Sequence, residues 1–152
     1  MTKNISLKRR DTVYLAGPYT HEDAKVMEMR YQMQLEFAGV VMEQMGLAVY
    51  APIVQGHQIA RLLPEKYQRD REFWLERTLP FLEGCDMMFV LQMEGWEESE
   101  GLRIEMALAE QLEIPVLFYE VEDRDSYESR TGEKLENTFP EVKEWKGRTD
   151  LN

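Results

Sequence analysis

Four short apolar runs, each stopped by glycine, proline or a polar cluster and separated by helix-like stretches, set the frame for this 152-residue chain. They are "TVYLAG" at 12–17, "LAVYAPI" at 47–53, "DMMFVLQM" at 86–93 and "IPVLFYEV" at 114–121. Runs of this length between turn residues read as buried strands. After the first comes "THEDAKVMEMRYQMQLEFAGVVMEQMG". Thr20 is expected to cap this helix, acids to fill its first turn and Gly46 to end it. Val26, Met29, Met33, Phe37, Val40, Val41 and Met45 recur at three- and four-residue spacing and mark one apolar face. "HQIARLLPEKYQRDREFWLERTLPFLEGC" predicts one or two helices, interrupted near Pro64 and Pro80, and "SEGLRIEMALAEQLE" predicts a helix capped by Ser99. Strands that alternate with helices imply βαβ units and a parallel sheet in an α/β fold. In open sheets of this kind the ligand crevice lies beyond the carboxyl ends of the strands. Loops 17–20, 52–57 and 93–101 are therefore expected to meet.

The length fits one domain, 1–152, with a core over 12–121 and a polar tail over 122–152 in which a short helix near Pro140–Trp145 is expected. No apolar run approaches a membrane span, and the basic start "MTKNISLKRRDTV" has no apolar segment behind it, so neither a membrane helix nor a signal peptide is expected. The single cysteine, Cys85, excludes an intrachain disulfide, suits a cytoplasmic location and reads as a buried structural thiol. A formal net charge of −11 argues against polymeric nucleic acid as a partner. A small anion bound locally by helix N–H groups is compatible with that charge. His21 and His57 are the only histidines and lack ligand-like spacing, so no metal site is expected.

Three motifs fall at the expected crevice. In "YLAGPYT", Gly17 permits a tight turn and close backbone approach, Pro18 fixes the turn, and Tyr14 and Tyr19 lie within and just beyond the strand. A routine βα turn explains the same letters. "APIVQGHQIA" brings Gln55 and His57 to the same sheet edge. "GWEESEGLRIEMALAE" is the most informative. Gly101 and Glu105 are four apart and share a helix face, while Ser99 offers a hydroxyl beside free N–H groups. Such a start suits an anion, with a carboxylate one turn deeper that can act as nucleophile or base. The alternative is a solvent-facing Glu105 and a Ser99 that merely caps.

Taken together, "VYLAGPY", "APIVQGH", "EFW", "CDMMFVL" and "GWEESEGLRIEMALAEQLEIPV" resemble the nucleoside 2-deoxyribosyltransferase-like superfamily over roughly residues 12–118. The resemblance implies a flavodoxin-like three-layer α/β sandwich with a parallel sheet of about five strands. It also implies cleavage or transfer of the N-glycosidic bond of nucleosides or their monophosphates, with no cofactor. Glu105 matches the family nucleophile that forms a glycosyl-enzyme, Tyr14 the tyrosine that positions it, and Gly17 the loop beside sugar or phosphate. Family transferases acting on free nucleosides have aspartate where this chain has Ser99, whereas nucleotide hydrolases have serine, which can donate to a 5′-phosphate. The resemblance therefore points to a nucleotide N-glycosidase, with base exchange by a deoxyribosyltransferase and non-catalytic nucleotide binding as alternatives. Gln55, His57 and a pocket wall at Trp96 are expected near the base.

One position departs from the family pattern. The aspartate that assists the leaving base falls at Thr78, which cannot serve as a general acid near neutral pH. Asp70, Glu72, Glu76 and His57 are candidate substitutes. Family members also form dimers or higher homo-oligomers in which a neighbour's C-terminal segment completes the site. Ser126, Ser129 and Asn137 are the polar candidates for that role here.

Overall fold

A computed structural model describes residues 11–121, 124–134 and 148–151. The core alternates as the sequence predicts: β1 (Thr12–Ala16), α1 (Ala24–Glu43), β2 (Ala48–Tyr50), α2 (Pro52–Ala60), α3 (Glu65–Gln68), α4 (Arg71–Leu82), β3 (Met87–Gln92), α5 (Glu100–Gln111) and β4 (Val116–Glu120). Beyond it lie α6 (Arg124–Thr131) and β5 (Arg148–Leu151). The sheet order is β2-β1-β3-β4-β5. The first four strands are parallel and β5 runs antiparallel to β4, so the parallel part of the expected five-stranded sheet has four strands. Neither α6 nor β5 was anticipated, because the polar tail lacks the periodicity that marks the other elements. The expected helix near Pro140–Trp145 and Asn137 lie outside the described residues.

Alternation along each strand builds two cores. Val13, Leu15, Phe89 and Leu91 point to one face and pack with Met33, Phe37 and Val41 of α1. Tyr14, Ala16, Met88 and Val90 point to the other, against Leu82 at the end of α4 and Leu102 and Ala109 of α5. Helices thus cover both faces, and the domain is a flavodoxin-like three-layer sandwich. The order reverses between β1 and β3, which places the crevice beyond the carboxyl ends of those two strands. Their other ends are tied together: Asp86 Oδ2 accepts from Thr12 N at 2.9 Å and from Thr12 Oγ1 at 3.0 Å.

Local chemistry moves several boundaries. Asp23, rather than Thr20, caps α1 by accepting from Lys25 N at 2.8 Å, and the acids expected in its first turn precede the helix. Gly46 adopts φ +67° just beyond α1, and Met45 is exposed there rather than buried. The second strand stops at Tyr50, because Pro52 starts α2 at its first turn, where a missing N–H costs nothing. Pro80 does not interrupt α4, which continues to Leu82. Phe81 stacks on Tyr50 at 4.5 Å and Leu82 is fully buried, and these contacts offset the lost hydrogen bond. Among the described residues, no helix is long and apolar enough to cross a membrane.

Candidate active site

Leu102, Glu105 and Ala109 are the buried residues of α5, spaced by three and four, so Glu105 lies on the stripe that faces the sheet. Only 7% of it is exposed. Its carboxylate Oε2 accepts a short hydrogen bond from the Tyr14 hydroxyl on β1, and Tyr14 is completely buried. Burial pushes the Glu105 carboxyl up to about 7, although the Tyr14 hydrogen bond works in the opposite direction. Burial and the neighbouring Glu105 charge raise the Tyr14 phenol, which therefore stays protonated as the donor. The Thr78 side chain hydrogen-bonds to the same phenol.

Glu105 opens onto a cleft of about 1000 Å³ at the carboxyl ends of β1 and β3. Gly17, Tyr19, His57, Thr78, Ser99 and Gly101 line it. Ser99 caps α5 by accepting from Leu102 N at 3.3 Å, which leaves its hydroxyl proton free to donate. A Cβ built on Gly101 would meet only Arg71 Cδ, at 4.0 Å, so packing does not demand glycine there. Arg69 and Arg71 supply positive charge to the same cleft, beside Asp70, Glu72 and Glu76.

From Tyr19 and His57, in the lining of the same cleft, a chain of three side chains leads to solvent. The Tyr19 hydroxyl lies 2.6 Å from His57 Nδ1, and His57 Nε2 lies 2.8 Å from Glu28 Oε2. The imidazole stacks on Tyr31 with ring centres 3.9 Å apart. Gln58 Nε2 in turn donates to the Tyr31 hydroxyl at 2.5 Å.

Residues 11–121 match a family described as a domain of unknown function, DUF1937. The chain belongs to the DUF1937 family. No curated protein matches it. The DUF1937 segment begins just before β1 and ends just after β4, so it contains the Tyr14–Glu105 pair and the whole Tyr19–His57–Glu28 chain.

Three expected site residues of this DUF1937 chain sit elsewhere. Gln55 is exposed and does not line the cleft, because α2 has already begun and turns it outward. Trp96 packs towards the core beneath β4, its ring 5.9 Å from Phe118, and forms no wall of the cleft. Pro18 is buried under the loop, where its carbonyl accepts from Gln34 Nε2 at 2.9 Å. Cys85 is half-buried rather than fully so; its thiol donates to Phe81 O, and burial raises it. Ser129 is exposed on α6, and nothing is described of the Ser126 side chain. Among the described residues, no group of three or more His, Cys, Asp or Glu side chains is arranged to hold a metal.

Two scaffold residues of α1 escaped the sequence reading. Gln34 is fully buried beside Gly17, where an added Cβ would fall 2.9 Å from its Cδ. That crowding is the local reason for glycine in the loop. Arg30 donates to the carbonyls of Tyr19, Thr20 and Glu94, and so ties the loop after β1 to the loop after β3. Gly95, at φ +89°, leaves room for its guanidinium. Polar residues on an otherwise apolar helix face were the available signal.

Proposed function

We propose that this protein is a nucleotide N-glycosidase that hydrolyses a ribo- or deoxyribonucleoside 5′-monophosphate to free base and sugar 5-phosphate. The observation that carries this reading is the buried Tyr14–Glu105 pair at the floor of a cleft whose rim is the N-terminus of α5. The likeness of its motifs to the nucleoside 2-deoxyribosyltransferase-like superfamily supports the same assignment.

In the proposed reaction the Glu105 carboxylate attacks the anomeric carbon as the bond to the base breaks. Water then resolves the glycosyl-enzyme, which divides one difficult step into two. Tyr14 holds the attacking carboxylate in one orientation. Its hydrogen bond also favours the ionised form that burial disfavours. The 5′-phosphate sits at the start of α5, where Ser99 and first-turn N–H groups donate and Arg71 adds charge. Gly101 leaves room for the sugar. The enzyme acts without a metal or cofactor, in the cytoplasm.

One observation favours a second reading. Thr78 stands in the cleft where the related enzymes have an acid, and threonine cannot protonate a leaving base. A nucleotide-binding module without turnover accounts for that residue. Base release from a panel of nucleoside 5′-monophosphates, by wild type and Glu105→Ala, separates the two. Release that vanishes in the variant supports the glycosidase. Saturable binding without release selects the module, and release from free nucleosides only in the presence of an acceptor base selects deoxyribosyl transfer.

A further inference from the structure

We propose that Tyr19, backed by His57 and Glu28, is the group that protonates the departing base. The proposal rests on the N-glycosidase reading, because it supplies the acid which Thr78 cannot. Tyr19 and His57 line the same cleft as Glu105. They approach it from the β1–α1 loop and from α2, whereas the nucleophile comes from α5.

The arrangement is built for proton movement. His57 is held on every side: Tyr19 lies at Nδ1, Glu28 at Nε2, and Tyr31 against its face. Its side chain is only 10% exposed, whereas that of Glu28 is 56% exposed. The chain therefore runs from water, through a carboxylate and an imidazole, to a phenol in the cleft. Arg61 also approaches, 3.3 Å from His57 Nε2 and 3.8 Å from Glu28 Oε2.

When His57 carries both protons, Nδ1–H donates to the Tyr19 oxygen and Nε2–H donates to Glu28. The Tyr19 O–H is then free to point at the base. In the first half-reaction a Glu105 oxygen bonds to the anomeric carbon, and the electron pair of the glycosidic bond goes to the base. The base takes the Tyr19 proton, and Tyr19 takes the Nδ1 proton of His57. In the second half-reaction water attacks the anomeric carbon and the bond to Glu105 breaks. The proton released by water passes through Tyr19 to Nδ1 and restores the starting state. The sum is nucleotide plus water giving base plus sugar phosphate.

Tyr19 is the catalytic residue of this chain; His57 and Glu28 are positioning residues that act through it. The test compares two substrates in wild type, Tyr19→Phe and Glu28→Gln: a nucleoside 5′-monophosphate, and a p-nitrophenyl glycoside of the same sugar phosphate. The nitrophenolate departs without a proton. Tyr19→Phe is expected to lose about 10²–10⁴-fold on the nucleotide and only a few-fold on the nitrophenyl substrate. Glu28→Gln is expected to slow the nucleotide, by less than Tyr19→Phe does, and to leave the nitrophenyl substrate unchanged. Equal losses on both substrates in Tyr19→Phe, or in Glu28→Gln, would overturn the relay while leaving the glycosidase intact. A wild type inert on both substrates would remove the glycosidase reading and the relay with it.

Discussion

The Tyr14 hydroxyl donates to the Glu105 carboxylate across 91 residues of chain, and both side chains are buried. One residue comes from the first strand and the other from the second turn of α5. The pair therefore forms only when β1 and α5 are docked, and folding itself sets the carboxylate against its donor. Two influences act on that carboxylate in opposite directions, burial against a hydrogen bond, which makes its protonation measurable.

The first prediction concerns pH. Burial raises Glu105 from its ordinary 4.5 to about 7 in the folded protein, so the fold prefers the protonated carboxyl. The resulting stabilisation is complete below about pH 4.5 and is lost as pH rises through about 7, at a cost on the order of 3 kcal/mol. Glu105→Gln keeps the shape without the charge. Its Tm is expected to match wild type near pH 4 and exceed it at pH 8.5, by calorimetry across that range. Activity carries the opposite sign, because attack needs the carboxylate, so kcat/KM for base release should climb through about pH 7.

Tyr14→Phe removes the donor that favours ionised Glu105. The ascending limb of the pH profile should move to higher pH. At neutral pH kcat/KM should fall about 10–100-fold, in line with a hydrogen bond to a charged group. A fall in rate with an unmoved limb would assign Tyr14 a packing role instead.

Gly101→Ala tests whether the open space above α5 serves a ligand. An alanine Cβ meets nothing closer than Arg71 Cδ at 4.0 Å. Within a helix, alanine should stabilise by about 0.5–1 kcal/mol. Urea unfolding should therefore show a higher midpoint, while kcat/KM for a nucleotide falls at least about tenfold from the crowding of the cleft.

Ser99→Asp separates capping from phosphate recognition. Aspartate caps a helix about as well as serine, so the Tm should hold. Its charge should raise the KM for a nucleoside 5′-monophosphate by about 10–100-fold and leave binding of the free nucleoside unweakened. Steady-state kinetics on the matched substrates reads this directly.

What the sequence made legible followed periodicity. The β1, β3 and β4 runs are apolar enough to be strands in any environment, and their alternation with helices dictated a parallel sheet. Spacing from Gly101 and Ser99 puts Glu105 on a helix face near a helix start, both local properties, but leaves open whether that face is buried, and it is. Gln55 and Trp96 were misplaced for the complementary reason: their positions depend on where α2 begins and on what lies beneath β4. Glu28 escaped attention because it sits 29 residues from His57, and spacing cannot show which faces of α1 and α2 meet. β5 stayed hidden because "RTDL" has no apolar run of its own and gains its partners only from β4.

The central claim is that Glu105 becomes covalently bonded to the sugar. The most direct measurement is the intact mass of the protein, followed by peptide mapping, after incubation with a 2′-fluoro-arabinonucleoside 5′-monophosphate. The fluorine slows breakdown of a glycosyl-enzyme. A mass increase equal to one fluorinated sugar phosphate less one water, mapped to Glu105 and absent in Glu105→Gln, is the result expected. Base release without any added mass, or an adduct on another residue, would contradict the account.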